Sequence, residues 1–177
     1  MYEWFNDWVT NRNNSEKKSI IVVNRRAFPI IVDLTKDCDD VAYISISASE
    51  ECALEHFYDV TEAHHYLPDA DNVLNLNFDD ITEDFTFENI CGEDVTYHAI
   101  SEEQAKQVID FVDKNLGKHL IIHCRAGQSR SAACGVAIEC CYGDIYKIEE
   151  HNPCDTPNPD VLAKVKRAFY VKNNIFQ

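Results

Sequence analysis

At 177 residues the chain has the size of a single domain, 1–177, long enough to bury a core of its own. Its formal net charge is −15, and the stretch between Lys36 and Lys106 holds 19 of the 31 acidic residues and no Lys or Arg, which argues against nucleic acid or an anionic membrane surface as a general partner. There is no apolar run of the roughly 18 residues a membrane span needs, no basic-then-apolar signal order, and no Cys-x-x-Cys pair, so a soluble, cytoplasmic protein with reduced thiols is expected.

Residues 1–18 are polar and mixed, with Trp4, Phe5 and Trp8 spaced for a short helix that docks an aromatic patch on the domain. Ser19-Ile20-Ile21-Val22-Val23 is a continuous β-branched run, the pattern of a strand covered on both faces. Residues 29–34 and 41–46 read as further strands, separated by the turn-rich stretch 35–40. Residues 48–66 are partly helical, with Cys52, Leu54, Phe57 and Tyr58 as inward positions. His64 and His65 are adjacent, so on a helix they point about 100° apart and are read as surface. Val73, Leu74 and Leu76 mark another strand, and Asp79-Asp80 marks its exit into a loop. In an α/β sheet such carboxyl-end loops carry the ligand site. Ser101-Glu102-Glu103-Gln104 is a capping box that opens a helix with Ala105, Val108, Ile109, Val112 and Leu116 on one face, closed by Gly117.

The stretch His123-Cys124-Arg125-Ala126-Gly127-Gln128-Ser129-Arg130-Ser131 follows an apolar run and precedes small residues, which reads as strand, tight loop and buried helix. Gly127 allows backbone angles barred to other residues, so the N–H groups of Arg125, Ala126, Gly127, Gln128 and Ser129 can converge on an anion. A helix starting near Ser129 adds its unpaired N–H groups. Both effects favour thiolate over thiol, which makes Cys124 a nucleophile at neutral pH. Arg130 can hold two phosphate oxygens at once, Ser131 can donate to the sulfur, and His123 is placed to order the loop. The helix continues over 130–142 to Gly143, residues 144–151 read as a short helix, and Asn158-Pro159 caps the last one, with Leu162, Val165 and Phe169 inward. Cys140, Cys141, His151 and Cys154 lack metal-site spacing, and no metal is expected there.

His-Cys-x5-Arg-Ser resembles the signature of the cysteine-dependent protein tyrosine phosphatases, and most closely the small dual-specificity branch. The resemblance implies a three-layer α/β domain with a central mixed sheet flanked by helices. It also implies a phosphocysteine intermediate formed without metal or other cofactor, and a general-acid aspartate on a separate upstream loop. Counting from Leu76, Asp80 falls where the small dual-specificity phosphatases place that acid, with Asp79 the close rival. The interval to the signature is longer than in the family, so Asp84 and Asp94 stay open, and the acidic insert 81–98 is expected to form a lid or wall beside the site. Asn158-Pro159 resembles the family's Pro-Asn region, so the likeness spans about 72–170; the first 70 residues match in strand order only.

Chemistry requires such an acid, because a protonated carboxyl must supply the leaving oxygen and its ionised form then activates water. Phosphorylated protein side chains are the expected substrates, phosphotyrosine ahead of phosphoserine and phosphothreonine. A polyphosphate or lipid headgroup calls for more cations than Arg125 beside Arg130, unless Arg25 and Arg26 reach the same rim. An inositol, nucleotide or RNA-end phosphatase is the alternative among enzymes, and a phosphate-binding module the alternative outside them. Cys134 and Cys91 are the thiols to consider as traps for an oxidised Cys124, with Cys134 expected simply to pack.

Overall fold

The computed structural model of the chain describes residues 3–57, 59–149 and 156–175. The aromatic spacing at the start forms α1 (Glu3–Asn11), which buries Phe5 and Trp8. The β-branched run becomes β1 (Lys18–Asn24). Residues 29–34, expected as a strand, instead lie in α2 (Phe28–Thr35). Phe28, Ile31, Val32 and Thr35 are its buried positions, the i, i+3, i+4, i+7 set of one helical face, and Pro29 sits in the first turn where its missing N–H costs nothing. Connectivity asks for the same answer, since β1 and β2 (Val41–Ser47) run parallel and a crossover is needed between them.

Next come α3 (Glu50–Phe57), a 3-10 turn at Val60–Ala63, and β3 (Val73–Asn77). In α3, Cys52 and Ala53 are buried, but Leu54 faces solvent; Tyr58 and the side chain of Phe57 lie outside the described residues. The acidic insert folds into an antiparallel hairpin of β4 (Phe85–Glu88) and β5 (Asp94–Tyr97). The capping box is formed, with Ser101 and Gln104 bonded reciprocally at the start of α4 (Glu102–Lys114). Leu116 lies past the end of α4 and is exposed. β6 (His119–Cys124) and α5 (Arg130–Cys141) flank the signature loop. Residues 144–151 were expected as a helix, but the chain forms β7 (Tyr146–Ile148), because β1 offers a free edge for Tyr146, Lys147 and Ile148; His151 lies outside the described residues. Asn158 caps α6 (Pro159–Lys172).

Among the described residues, five strands make one sheet in the order β3-β2-β6-β1-β7, and every pairing in it is parallel. The antiparallel pairing is confined to the separate β4–β5 hairpin. The two-residue period of the strands builds a core on each face. Ile20, Val22, Ala42, Ile44, Leu120, Ile122 and Cys124 pack against α4, α5 and α6. Ile21, Val23, Val41, Tyr43 and Ile121 pack against α1 and α2. The result is a three-layer α/β domain whose central strand, β6, ends at Cys124.

Candidate active site

Parallel strands end together, and here the shared edge supplies the site. Asn24 is in register with Cys124, Ser45 with His123, and Ser47 with Asn77. The signature loop leaves this edge between β1 and β2 and is tied down by the Arg25 N–H, which donates to the Arg125 carbonyl at 3.2 Å. Gly127 makes the turn, with φ of +74°. A Cβ there would lie 2.7 Å from the backbone N of Asn24 and 2.7 Å from the carbonyl carbon of Val23, so only glycine fits against β1.

Cys124 is 2% exposed at the base of the loop. Its Sγ accepts from the Gly127 N–H at 3.3 Å and from the Ser131 hydroxyl at 3.0 Å. Both donors point at the sulfur. Arg130, also buried, donates from Nη1 to the carbonyls of Ser47 and Phe78 at 3.1 and 2.6 Å. These carbonyls close β2 and follow β3, so strand ends orient the guanidinium. Its buried Nε has no hydrogen-bond partner among the described residues, which leaves the Nε–Nη2 edge for a two-oxygen acceptor. Ser129 precedes α5 without capping it through its side chain, so the first-turn N–H groups of that helix are also open to an anion.

His123 is buried on the opposite face of β6, its ring 3.9 Å centroid to centroid from Phe28. Burial pushes its pKa down to about 3, with the Arg25 charge adding to the effect, so it is neutral at physiological pH. His123 Nε2 pairs with the Ser45 hydroxyl at 2.8 Å, which also meets His65 Nδ1 at 2.8 Å, and His65 Nε2 reaches Asn77 Oδ1 at 2.8 Å. His65, read from sequence as surface, is therefore a half-buried link between β2, β3 and the signature histidine, and burial lowers its pKa. His64 is exposed and contributes its carbonyl. The missed signal was Ser45, a hydroxyl inside a fully buried strand, which must find partners.

The four aspartates separate by environment. Asp79 is 2% exposed, and its carboxylate accepts from the Ser49 N–H, the Ser49 hydroxyl and the His98 N–H at 3.0, 2.7 and 2.9 Å. It clamps loops together. Asp84 accepts from the Ala99 N–H at 2.9 Å and pairs with His98 at 3.8 Å, and Asp94 belongs to the hairpin. Asp80 is exposed on the rim, where its Oδ1 accepts from the Ser129 hydroxyl at 2.6 Å and from Asn158 Nδ2 at 2.9 Å. Of the four, it is the one bonded to the signature loop.

Other loop residues divide in the same way. Ala126 and Gln128 are exposed at the loop surface. Arg125 pairs with Glu62 at 3.6 Å. Arg25 does not extend the cationic rim: it is committed to the 61–64 segment, donating to the carbonyls of Thr61, Glu62 and His64 and to the Ser47 hydroxyl, with Glu62 3.9 Å away. Arg26 is exposed. Between Asp80 and Arg130 lies a cavity of about 170 Å³, walled by Ala48, Cys52, Ile81 and Tyr97, so the insert does supply a wall through Tyr97. Cys134 is wholly buried in α5, where burial and then Cys124 push its pKa up to about 12, while Cys91 is exposed at the hairpin turn. Cys140 is exposed and Cys141 half-buried at the end of α5, and Cys154 lies outside the described residues.

No family model matches the chain, and no curated protein matches it. Among solved structures, the chain is similar to the crystal structure of PTPMT1 in complex with PI(5)P. The two are 13% identical, the match covers 90% of this chain and 95% of that one, and the TM-score is 0.41.

Proposed function

We propose that the protein is a cysteine-dependent phosphomonoester hydrolase that works through a phosphocysteine intermediate. The observation that carries this reading is the constellation at the carboxyl edge of the sheet. A buried sulfur accepts two hydrogen bonds, and a strand-anchored guanidinium has a buried Nε with no partner among the described residues. In the first step Cys124 attacks phosphorus, loop N–H groups and Arg130 hold the equatorial oxygens, and Asp80 protonates the leaving oxygen. In the second, ionised Asp80 takes a proton from water as it attacks, and Ser131 donates to the departing sulfur.

Phosphorylated protein side chains are the substrates we assign, phosphotyrosine first. Arg125 and Arg25 both face Glu62, which offsets their charge and favours a single phosphate over a second one. The small cavity beside Asp80 offers Tyr97, Ile81 and Ala48 as walls for an aromatic leaving group. Hydrolysis of p-nitrophenyl phosphate with chelator and reductant present tests the chemistry. Activity that persists in the parent and vanishes in Cys124→Ser supports it; an inactive parent, or an active Cys124→Ser, overturns it. Phosphotyrosine, phosphoserine and phosphoinositide substrates presented to the same preparation then rank the classes.

A further inference from the structure

Asn158 is used at both ends. Its Oδ1 accepts from the N–H groups of Asp160 and Val161 at 3.0 and 3.1 Å, capping α6. Its Nδ2 donates to Asp80 Oδ1 at 2.9 Å and to the Ile81 carbonyl at 3.2 Å, and its own N–H donates to the Ser129 carbonyl at 3.3 Å. The side chain is buried at 5% exposure. Three segments therefore meet at one residue: the Asp80 loop, the signature loop and the start of α6. Few residue types can do this. Aspartate would cap the helix equally well but set a second carboxylate against Asp80, and serine would cap it without reaching across.

The two donors on Asp80 converge on the same oxygen, since Ser129 Oγ also donates to Oδ1 at 2.6 Å. We infer that Asn158, with Ser129, is a positioning residue that fixes the carboxyl of Asp80 so that Oδ2 is the oxygen that delivers and later collects the proton. This rests on the hydrolase reading above. In the first step the S–P bond forms, the P–O ester bond breaks, and the Oδ2 proton moves to the leaving oxygen. In the second, a water O–P bond forms, the P–S bond breaks, and the water proton returns to Oδ2, so no other reactant is needed.

The test is leaving-group dependence. Nitrophenoxide leaves with little help from an acid, whereas phenoxide needs its proton, so a misdirected acid shows in the ratio of the two rates. Asn158→Ser, which keeps the cap, should lower the ratio of kcat on phenyl phosphate to kcat on p-nitrophenyl phosphate by about 10- to 100-fold, with KM little changed. Ser129→Ala should shift the ratio in the same direction. In the Asp80→Ala background Asn158→Ser should add nothing further. An unchanged ratio in an active parent, or a loss that adds to that of Asp80→Ala, overturns the positioning role while leaving the hydrolase standing. A parent inactive on both esters, or an active Cys124→Ser, overturns the hydrolase and this role together. Should Asn158→Ser not fold, Ser129→Ala carries the test, and an unchanged ratio there overturns the shared positioning.

Discussion

Gly127 shows how one missing carbon holds the site together. Its N–H reaches the sulfur only because the loop lies flat on β1, with backbone atoms of Val23 and Asn24 where a Cβ would go. Gly127→Ala is expected to cost about 1–3 kcal/mol of stability and to lower kcat by about 100-fold or more, read by urea unfolding and p-nitrophenyl phosphate turnover. Gly117, at φ of +85° with open space around it, is the control: Gly117→Ala should show the backbone cost and leave turnover alone. Asp79 and Asp80 make a similar contrast. Asp79→Asn turns an amide N–H₂ on the donors of Ser49 and His98 and should destabilise by about 2 kcal/mol, lowering turnover on both esters alike. Asp80→Asn should fold like the parent and lose mainly the phenyl ester. Cys124, Arg130 and Ser131 were legible because their spacing is fixed by the loop itself. The aspartate pair was not, because adjacent residues of the same type differ only in burial, which distant Ser49 and His98 decide.

At the scale of elements, the strands β1, β2, β3 and β6 and the helices α4, α5 and α6 followed from patterning and caps. The errors share a cause. Ile30, Ile31 and Val32 are β-branched and suggest a strand, yet the parallel crossover and Pro29 make them helical; β7 has just three residues and exists because an edge of β1 was open. The pairing of α1 with β6 carries a pH dependence. His119, the first residue of β6, is fully buried, accepts from the Ser19 N–H at 2.9 Å and meets Trp8 edge to face. Burial, then the nearby Lys18 charge, pushes its pKa from the ordinary 6.5 down to about 4. The folded state thus prefers neutral His119, so stability is whole above 6.5 and declines as pH falls from 6.5 toward 4, where the loss stops growing. In urea unfolding between pH 7 and 4, His119→Asn should show an acid loss smaller than the parent's by about 3 kcal/mol.

Over the whole molecule, the candidate site lies at one end of the parallel sheet with part of the acidic middle of the chain beside it, while Asp40 and Asp71 lie at the other end. Glu50, Glu51, Glu83, Asp84 and Glu103 line a groove of about 990 Å³ that continues from the Asp80 loop, with Lys164 the cation among them. Phosphotyrosine peptides with basic flanks should therefore be hydrolysed with higher kcat/KM than those with acidic flanks, by about tenfold at low salt, and the gap should shrink as salt rises through 0.5 M; a gap indifferent to salt would sink the electrostatic explanation. The charge asymmetry was plain in the sequence, but which of its carboxylates come near the candidate site needed the fold. At the other end of β6 the arrangement has an optical side. The chain's two tryptophans, Trp4 and Trp8, both ride on α1, and Trp8 meets His119, five residues back along the strand and about 16 Å from Cys124. Tryptophan emission is thus a signal of that helix and of the histidine beneath it. Tryptophan emission follows the docking of α1 and the acid titration at the foot of the strand, while a phosphate ester at its head binds far from both indoles.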